Sequence, residues 1–289
     1  MGGMTEFRWR CRDHELVCGP RTLLVGVVNV TPDSFSDGGL HLDAPAAIAH
    51  GLLLADEGAD VLDVGGESTR PGAEPVPAER ELARVVPVIE GLMARRPDVV
   101  VSVDTRKPEV AAAAIAAGAA IVNDVAAGAD PAMFDVVAGA GAGMVLMHMR
   151  GEPGTMQDAP HYDDVVAEVT GFLRERLEAA IFAGIPRDRL VADPGIGFGK
   201  SLDHNLAVLR AIGSMREALD VPLLVGPSRK RFIGTLTGAD DPADRLEGTA
   251  GAVAWCAAHG ADLVRVHDVA AMRRVVQVVD ALARGGGAS

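Results

Sequence analysis

The sequence predicts a single eight-stranded (β/α) barrel, and three observations lead to that prediction. The chain has 289 residues, of which 48% are hydrophobic, enough for one large core. Eight short apolar runs rich in β-branched residues recur along the chain, and each ends in a polar or glycine cluster. Amphipathic stretches with helical spacing separate the runs, as in a parallel sheet with crossover helices. Eight such units favour a closed barrel over a doubly wound open sheet.

The predicted elements follow one another from residue 23 onwards. In chain order, the strands are Leu23–Val30, Val61–Val64, Val99–Val103, Ala120–Val122, Met144–Met147, Leu190–Ala192, Leu223–Val225 and Leu263–Val266. The helices begin at signals in which each Pro falls where a first helical turn tolerates it. These signals are Asp43 before Ala44-Pro45, Pro77 before Ala78–Arg95, Lys107-Pro108, Asp130-Pro131, Asp163 before Val165–Ala183, and Asp241-Pro242 before Ala243–His259.

The ends of the chain carry weaker signals than the barrel. Residues 1–20 are predicted to form an N-terminal hairpin that plugs the barrel, because Phe7–Val17 alternates around Asp13-His14. Residues 21–284 are predicted to form the barrel itself, and we find no linker composition that would divide it. Residues 285–289 are predicted to be a disordered tail.

Composition excludes several classes of function. The 27 Lys and Arg face 40 Asp and Glu, and the net charge of −13 argues against nucleic acid or an anionic membrane as a partner. With 3% aromatic residues, the chain offers few stacking platforms for single strands. Cys11, Cys18 and Cys256 lack the paired spacing of a zinc site and are expected to be reduced thiols. No apolar stretch reaches about 18 residues, so we expect a soluble, cytoplasmic protein.

Polar side chains follow all eight predicted strands, where the chemistry of such a barrel is found. Their acids and amides suit a hydrogen-bonding heterocycle, and their cations, with His267, suit phosphate. The sequence therefore predicts a small phosphorylated ligand in the barrel mouth. The residues are Asn29, Glu67–Arg70, Asp104, Asn123-Asp124, His148, Asp193, Ser228–Lys230, Arg265 and His267.

Three loops between strands and helices have unusual compositions. Asn29–Gly39 is long and rich in turn formers, and we interpret it as a lid in which Phe35 shields a reacting centre. Gly65–Gly72 brings a guanidinium and hydroxyls to the same rim. Asp193–Lys200 fits neither the Walker spacing nor G-x-G-x-x-G, so its glycines are better explained by a flat ring lying close to the backbone.

Taken together, these segments resemble dihydropteroate synthase, the folate-pathway enzyme that sulfonamides inhibit. The resemblance runs from about Leu23 to about Asp280 and is specific because two loop motifs and six strand ends occur in the right order. The segments are Asn29–Gly39, Glu67–Gly72, Ser102–Thr105, Val122–Asp124, Met147–Met149, Asp193–Lys200, Ser228–Lys230 and Arg265–Asp268.

The resemblance implies a transferase of alkyl groups that joins a dihydropterin-methyl diphosphate to p-aminobenzoate. Diphosphate leaves first, and the arylamine captures a pterin-stabilised methylene cation. The implied pterin residues are Asp104, Asn123, Met147, Asp193, Gly197 and Lys230, and the implied diphosphate residues are Asn29, Arg70, Arg265 and His267. Those implied for p-aminobenzoate are Phe35, Thr69, Pro71, Phe198 and Ser228. The implied catalytic residues are Asp33, Arg70, Lys230 and Arg265.

The family also implies Mg²⁺ as cofactor with Asn29 as its protein ligand, sulfonamides as competitors and a homodimer. Val253, Trp255 and Val276 are candidates for the dimer interface, although they could equally face the barrel. One departure from the family pattern is Arg231, which stands where many relatives have a small hydroxyl residue. This departure leaves open whether Arg231 contacts the p-aminobenzoate carboxylate or points to solvent.

Two other functions fit parts of the pattern. A pterin-dependent methyltransferase that binds methyl-tetrahydrofolate would share the Asp and Asn pocket, but it needs neither the Asp33–Gly39 lid nor Arg70 and Arg265. A non-catalytic pterin-binding paralogue would have lost loop residues, because fold can persist when a site decays. The retained loop residues favour the synthase over both alternatives.

Overall fold

The computed structural model describes residues 5–30, 44–68, 75–152, 154, 156 and 159–284. A two-stranded antiparallel hairpin, β1 (Phe7–Cys11) and β2 (His14–Cys18), precedes the barrel. The barrel strands are β3 (Leu23–Asn29), β4 (Val61–Gly65), β5 (Val100–Asp104), β6 (Ile121–Asp124), β7 (Gly143–Met147), β8 (Leu190–Asp193), β9 (Leu224–Val225) and β10 (Leu263–Val266). Each strand coincides with a predicted apolar run to within a residue or two.

The eight strands are parallel and pair in the order β8-β7-β6-β5-β4-β3-β10-β9. A parallel bridge between Ala192 and Leu223 joins the two ends of this sheet, and Ala192 N donates to Pro222 O at 3.1 Å. An open sheet would leave these edges unpaired. The predicted barrel with an N-terminal hairpin is therefore confirmed.

Helices surround the barrel in the described part of the chain. They are α1 (Ala44–Asp56), α2 (Ala78–Arg95), α3 (Pro108–Ala116), α4 (Ala132–Ala140), α5 (Val165–Phe182), α6 (Leu202–Arg210), α7 (Ile212–Leu219), α8 (Arg231–Thr237), α9 (Leu246–Ala258) and α10 (Val269–Ala283). Two helices begin differently from the prediction. Asp164, not Asp163, caps α5, and Asp241-Pro242 starts a short 3₁₀ helix over Pro242–Arg245 that delays α9.

Side-chain alternation along the strands separates an outer core from an inner one. On β4, Leu62 and Val64 pack in the large cluster that also contains helix residues, whereas Val61 packs in the small cluster inside the barrel. Because alternate residues of a strand face opposite sides, Asp63 faces inward with Val61. The same alternation turns the last residues of several strands toward the barrel axis.

The hairpin lies against the N-terminal end of the barrel. Trp9, Cys11 and Cys18 are buried in the inner cluster, and Trp9 Nε1 donates to Arg189 O at 3.0 Å. A Cβ at Gly143 would lie 2.6 Å from Cys11 Sγ, so the close approach of hairpin and β7 requires glycine there. Cys11, Cys18 and Cys256 are free thiols whose pKa values burial raises. The apolar packing at this end leaves the opposite end for polar groups.

Candidate active site

A cavity of about 840 Å³ lies at the C-terminal ends of the barrel strands. The site residues that the family resemblance implies and that the structure describes all line it: Asn29, Asp104, Asn123, Met147, Asp193, Gly197, Phe198, Ser228, Lys230, Arg265 and His267. The remaining predicted residues lie outside the described part of the chain, and these are Asp33, Phe35, Thr69, Arg70 and Pro71. Glu67 and Ser68, which follow β4, also line the cavity, so groups from all eight barrel strands or the loops that follow them meet in one space.

A buried ionic network forms the floor of the cavity. Arg265 donates from Nε to Asp63 Oδ2 at 2.6 Å and from a terminal nitrogen to Asp104 Oδ2 at 2.9 Å. Asp63 Oδ2 also accepts from Asn123 Nδ2 at 2.9 Å. Since buried charges are tolerated when they are paired and hydrogen-bonded, each member of the network depends on the others.

Burial shifts the protonation of the cavity acids. Burial raises the pKa of Asp104 to about 7, although Arg265 opposes the shift. It also raises the pKa of Asp193 to about 6, against a hydrogen bond from Gly195 N at 2.7 Å. Perturbed carboxyl groups of this kind concentrate at functional sites. A ligand that donates hydrogen bonds would favour the charged form of both side chains.

The loop after β8 passes so close to its neighbours that it requires glycine. Gly195 has a φ of +67°, and a Cβ there would collide with the carbonyl oxygen of His148. Gly197 has a φ of +83°, and a Cβ would lie 3.1 Å from Cδ of Lys230. The absence of side chains at these positions lets a flat ring approach the backbone beside Asp193.

Lys200 stabilises this loop through hydrogen bonds to its backbone. Its ammonium group, on a residue that is 2% exposed, lies 2.9 Å from His148 Nδ1 and donates to Gly195 O at 2.9 Å and Phe198 O at 3.1 Å. Burial lowers the pKa of Lys200 to about 7 and that of His148 to about 3. A neutral imidazole therefore accepts from the lysine, and the pair fixes the loop.

Lys230 and Phe198 form one wall of the cavity. The Lys230 ammonium lies 4.0 Å from the centre of the Phe198 ring, within the range of a cation–π contact. Burial, followed by the charge of Arg265, lowers the pKa of Lys230 to about 8. The group is thus still mainly a cation at pH 7, and it combines with the ring to give a surface suited to an aromatic ligand.

His267 lies beside Ser228 at the cavity. His267 Nδ1 and Ser228 Oγ are 2.9 Å apart, and Ser228 Oγ accepts from the backbone N–H of His267 at 3.2 Å. Burial, with the charges of Arg265 and Arg229, lowers the pKa of His267 to about 3. At neutral pH, His267 is therefore uncharged and can contribute only hydrogen bonds. The sequence analysis had grouped it with the cations suited to phosphate.

Two strand-end residues singled out in the sequence do not line the cavity. Asp124 turns outward, and its carboxylate accepts from Ala126 N at 2.8 Å and Gly128 N at 2.7 Å. His148 is buried against Lys200. Conversely, sequence reasoning missed Asp63, because it considered only residues past the strand ends. The available signal was a lone acid within the apolar run Val61–Val64.

Fold and site together define the class of protein. A (β/α) barrel whose mouth combines buried acids with an amide, a lysine and an arginine suits a polar heterocycle with an anionic group. The family model described as "Pterin binding enzyme" matches residues 25–267, which span almost the whole barrel. The chain is thus a barrel of the pterin-binding class.

Individual relatives narrow the assignment. The dihydropteroate synthase of Mycobacterium leprae is 48% identical over 270 residues, covering 91% of this chain and 94% of the relative. The Xanthomonas albilineans dihydropteroate synthase, solved with 4-aminobenzoic acid, is 53% identical with a TM-score of 0.89 over 96% of this chain and 98% of its own. The Yersinia pestis dihydropteroate synthase, in a sulfonamide drug complex, has 38% identity and a TM-score of 0.89 over 97% of this chain and 100% of its own. This chain belongs to the dihydropteroate synthase family.

Proposed function

We propose that this protein condenses 6-hydroxymethyl-7,8-dihydropterin diphosphate with p-aminobenzoate to give 7,8-dihydropteroate and diphosphate. One observation carries the proposal: a single cavity combines the acceptors Asp193 and Asn123 with the cations Lys230 and Arg265. The first pair matches the donor edge of a pterin, and the second matches its carbonyl side and an attached diphosphate. Membership of the dihydropteroate synthase family supports the same reaction.

The pterin would bind at the bottom of the cavity. The Asp193 carboxylate would accept from the amino group and the ring N–H, with Asn123 and Asp104 completing the polar edge. Lys230 would donate to the carbonyl side of the ring. Met147 and Gly197 line the same space, one as a soft apolar side chain and the other as bare backbone. Ionised Asp193 is the form that accepts both hydrogen bonds, so binding would lower the raised pKa of this group.

The reaction requires electrostatic stabilisation of the leaving group and no protein nucleophile. The methylene C–O bond breaks, and its electron pair leaves with diphosphate. The arylamine nitrogen then forms the C–N bond and loses a proton to solvent. Arg265 would stabilise the departing charge together with the predicted Arg70, while His267 donates a hydrogen bond. Asp33 and Arg70, which we propose as catalytic with Lys230 and Arg265, belong to the two loops that would close over the site and exclude water.

A magnesium ion would bind at Asn29. Among the described residues, no group of three His, Cys, Asp or Glu side chains is arranged to hold a metal ion. Asn29 fits a different arrangement, because it is the last residue of β3, partly exposed and on the cavity wall. Mg²⁺ often takes few protein ligands and completes its shell with phosphate oxygens and water. When bound, it would neutralise charge on the leaving diphosphate.

p-Aminobenzoate would bind above the pterin. Phe198 and Ser228 line this part of the cavity, and we propose that Phe35, Thr69 and Pro71 complete the walls. Arg231 also lines the cavity and is exposed, which leaves its guanidinium accessible to a carboxylate. Sulfonamides would compete for the same position because they resemble the amine.

We also propose a cytoplasmic homodimer. No helix in the described ranges is long and apolar enough to cross a membrane. Val253 and Val276, two of the residues considered for an interface, are buried in the core and face the barrel. Exposed apolar side chains on α10 are better candidates, since Val278 is 61% and Leu282 is 80% exposed. Light scattering at micromolar concentration tests the dimer, and a mass near 29.9 kDa would refute it.

The proposed reaction is tested by incubating the protein with the pterin diphosphate, p-aminobenzoate and Mg²⁺. Diphosphate and dihydropteroate should appear together, and both should depend on the amine. Pterin binding without turnover would favour the non-catalytic paralogue. Methyl transfer from methyl-tetrahydrofolate to a corrinoid protein, with no diphosphate release, would favour the methyltransferase.

A further inference from the structure

Asp63 lies inside the barrel, directly below the cavity wall. Its side chain is 0% exposed, and Val61, Leu62 and Val64 around it in β4 are buried. The carboxylate accepts two hydrogen bonds through the same atom, Oδ2: from Arg265 at 2.6 Å and from Asn123 at 2.9 Å. A buried carboxylate is costly unless such partners are present. Asp63 itself does not line the cavity, but both of its partners do.

The hydrogen bond to Asp63 determines which way the Asn123 amide points. A carboxylate that already accepts from a guanidinium can only accept from the NH₂ end of an amide. The carbonyl oxygen of Asn123 is therefore the end available to a ligand. Asn123 lies on the cavity wall and is 6% exposed.

We propose that Asp63 is a positioning residue that makes Asn123 present an acceptor, not a donor, to the ligand. The inference rests on the proposed function, since the ligand concerned is the pterin, whose donor edge would meet this oxygen. If the Asn123 amide were turned the other way, its NH₂ group would face a donor group of the pterin, and no hydrogen bond could form. The same Asp63 oxygen also accepts from Arg265. One atom therefore positions both the amide proposed to bind the pterin and the guanidinium proposed to bind the diphosphate.

The test exchanges the two polar groups. N123D keeps an acceptor toward the ligand but sets a second carboxylate against Asp63, so it should weaken binding by roughly a hundredfold. In D63N/N123D, the substituted side chain at position 63 can donate to the carboxylate at position 123. Binding should recover at least tenfold relative to N123D. The probe is 6-hydroxymethyl-7,8-dihydropterin, which lacks the leaving group, and its affinity is measured by calorimetry.

D63L/N123D is the matched control. Leucine removes the same negative charge from position 63 and has nearly the same shape as asparagine, but it supplies no donor to the carboxylate at position 123. Recovery in D63N/N123D but not in D63L/N123D supports an oriented amide. Equal recovery in both would mean that only net charge matters, and no recovery in either would mean that position 63 does not orient Asn123. Both of these results overturn the inference.

Two further measurements keep the test decisive. D63N alone should bind the pterin at least tenfold more weakly than the wild-type protein, and unchanged affinity would overturn the inference even if the double variant fails to fold. The wild-type titration separates the two proposals. Failure of the wild-type protein to bind the pterin would defeat the proposed function. Normal wild-type binding with either overturning result above would defeat only the role of Asp63.

Discussion

Asp193→Asn is the most direct perturbation of the proposed pterin site. Asp193 is 5% exposed at the end of β8, and its Oδ1 accepts from Gly195 N at 2.7 Å. The substitution keeps the shape of the side chain but replaces one acceptor oxygen with a donor. A pterin that offers two donors would then meet one acceptor and one donor. We expect loss of affinity with the fold retained.

The size of the effect follows from the hydrogen bonds that change. A hydrogen bond to a charged group contributes about 1.5–3 kcal/mol, and a neutral one about half as much. Losing one such bond and weakening the other costs roughly 3 kcal/mol, which corresponds to about a hundredfold in Kd. Calorimetry with 6-hydroxymethyl-7,8-dihydropterin would measure this directly.

Asp124→Asn supplies a closely matched control. Asp124 is 1% exposed, and burial raises its pKa to about 6, as for Asp193. Its carboxylate accepts from two backbone N–H groups outside the cavity, so the substitution should lower the melting temperature without changing pterin affinity. The reasoning is refuted if Asp193→Asn binds within threefold of the wild type, or if Asp124→Asn loses as much affinity.

Three further predictions address the other groups of the site. Arg265→Ala should reduce turnover of the diphosphate substrate by roughly 10²–10³-fold, measured as diphosphate release, because it removes a charge that would stabilise the leaving group; wild-type turnover would contradict this role. A chelator should suppress the reaction and added Mg²⁺ should restore it, whereas a rate indifferent to chelation would remove Asn29 from its metal role. Lys200→Met should make stability less dependent on pH. Burial lowers the pKa of Lys200 from 10.5 to about 7, so between these values the folded state binds fewer protons than the unfolded chain, and wild-type stability rises with pH. Denaturant unfolding at pH 7 and pH 9 should show a rise smaller by about 2 kcal/mol in the variant, and an equal rise would count against the shift.

Much of the barrel was predictable because its strands are buried on both faces. Such strands appear in the sequence as continuous apolar runs, and this is why β3 and β10 were predicted with little error. Helix starts were less certain. Asp163 and Asp164 are adjacent and both can cap a helix, and local geometry selects the second. Asp241 does cap a turn, but a 3₁₀ one, and the cap signal alone does not specify which type of turn follows it.

The positions of strand-end residues follow from connectivity, which is why most of the described site predictions fall on one cavity. Side-chain direction is harder to read. Asn123 and Asp124 are consecutive in a strand, so only one of them can face inward. The alternation of β6 with its neighbours places Asn123 inside and Asp124 outside.

Sequence patterns were enough to predict the succession of strands, the end of the barrel at which polar groups collect and the family to which the chain belongs. These properties depend on local patterns and on the rule that parallel strands end at one edge. Two sets of contacts became visible only in the tertiary structure. Asp63 accepts hydrogen bonds from both Arg265 and Asn123, and Lys200 donates to the carbonyl oxygen of Gly195. The contact between Arg265 and Asp63 joins residues 202 positions apart in the chain. Such pairs form only when the barrel closes. Local sequence patterns therefore do not predict which buried charge will meet which donor.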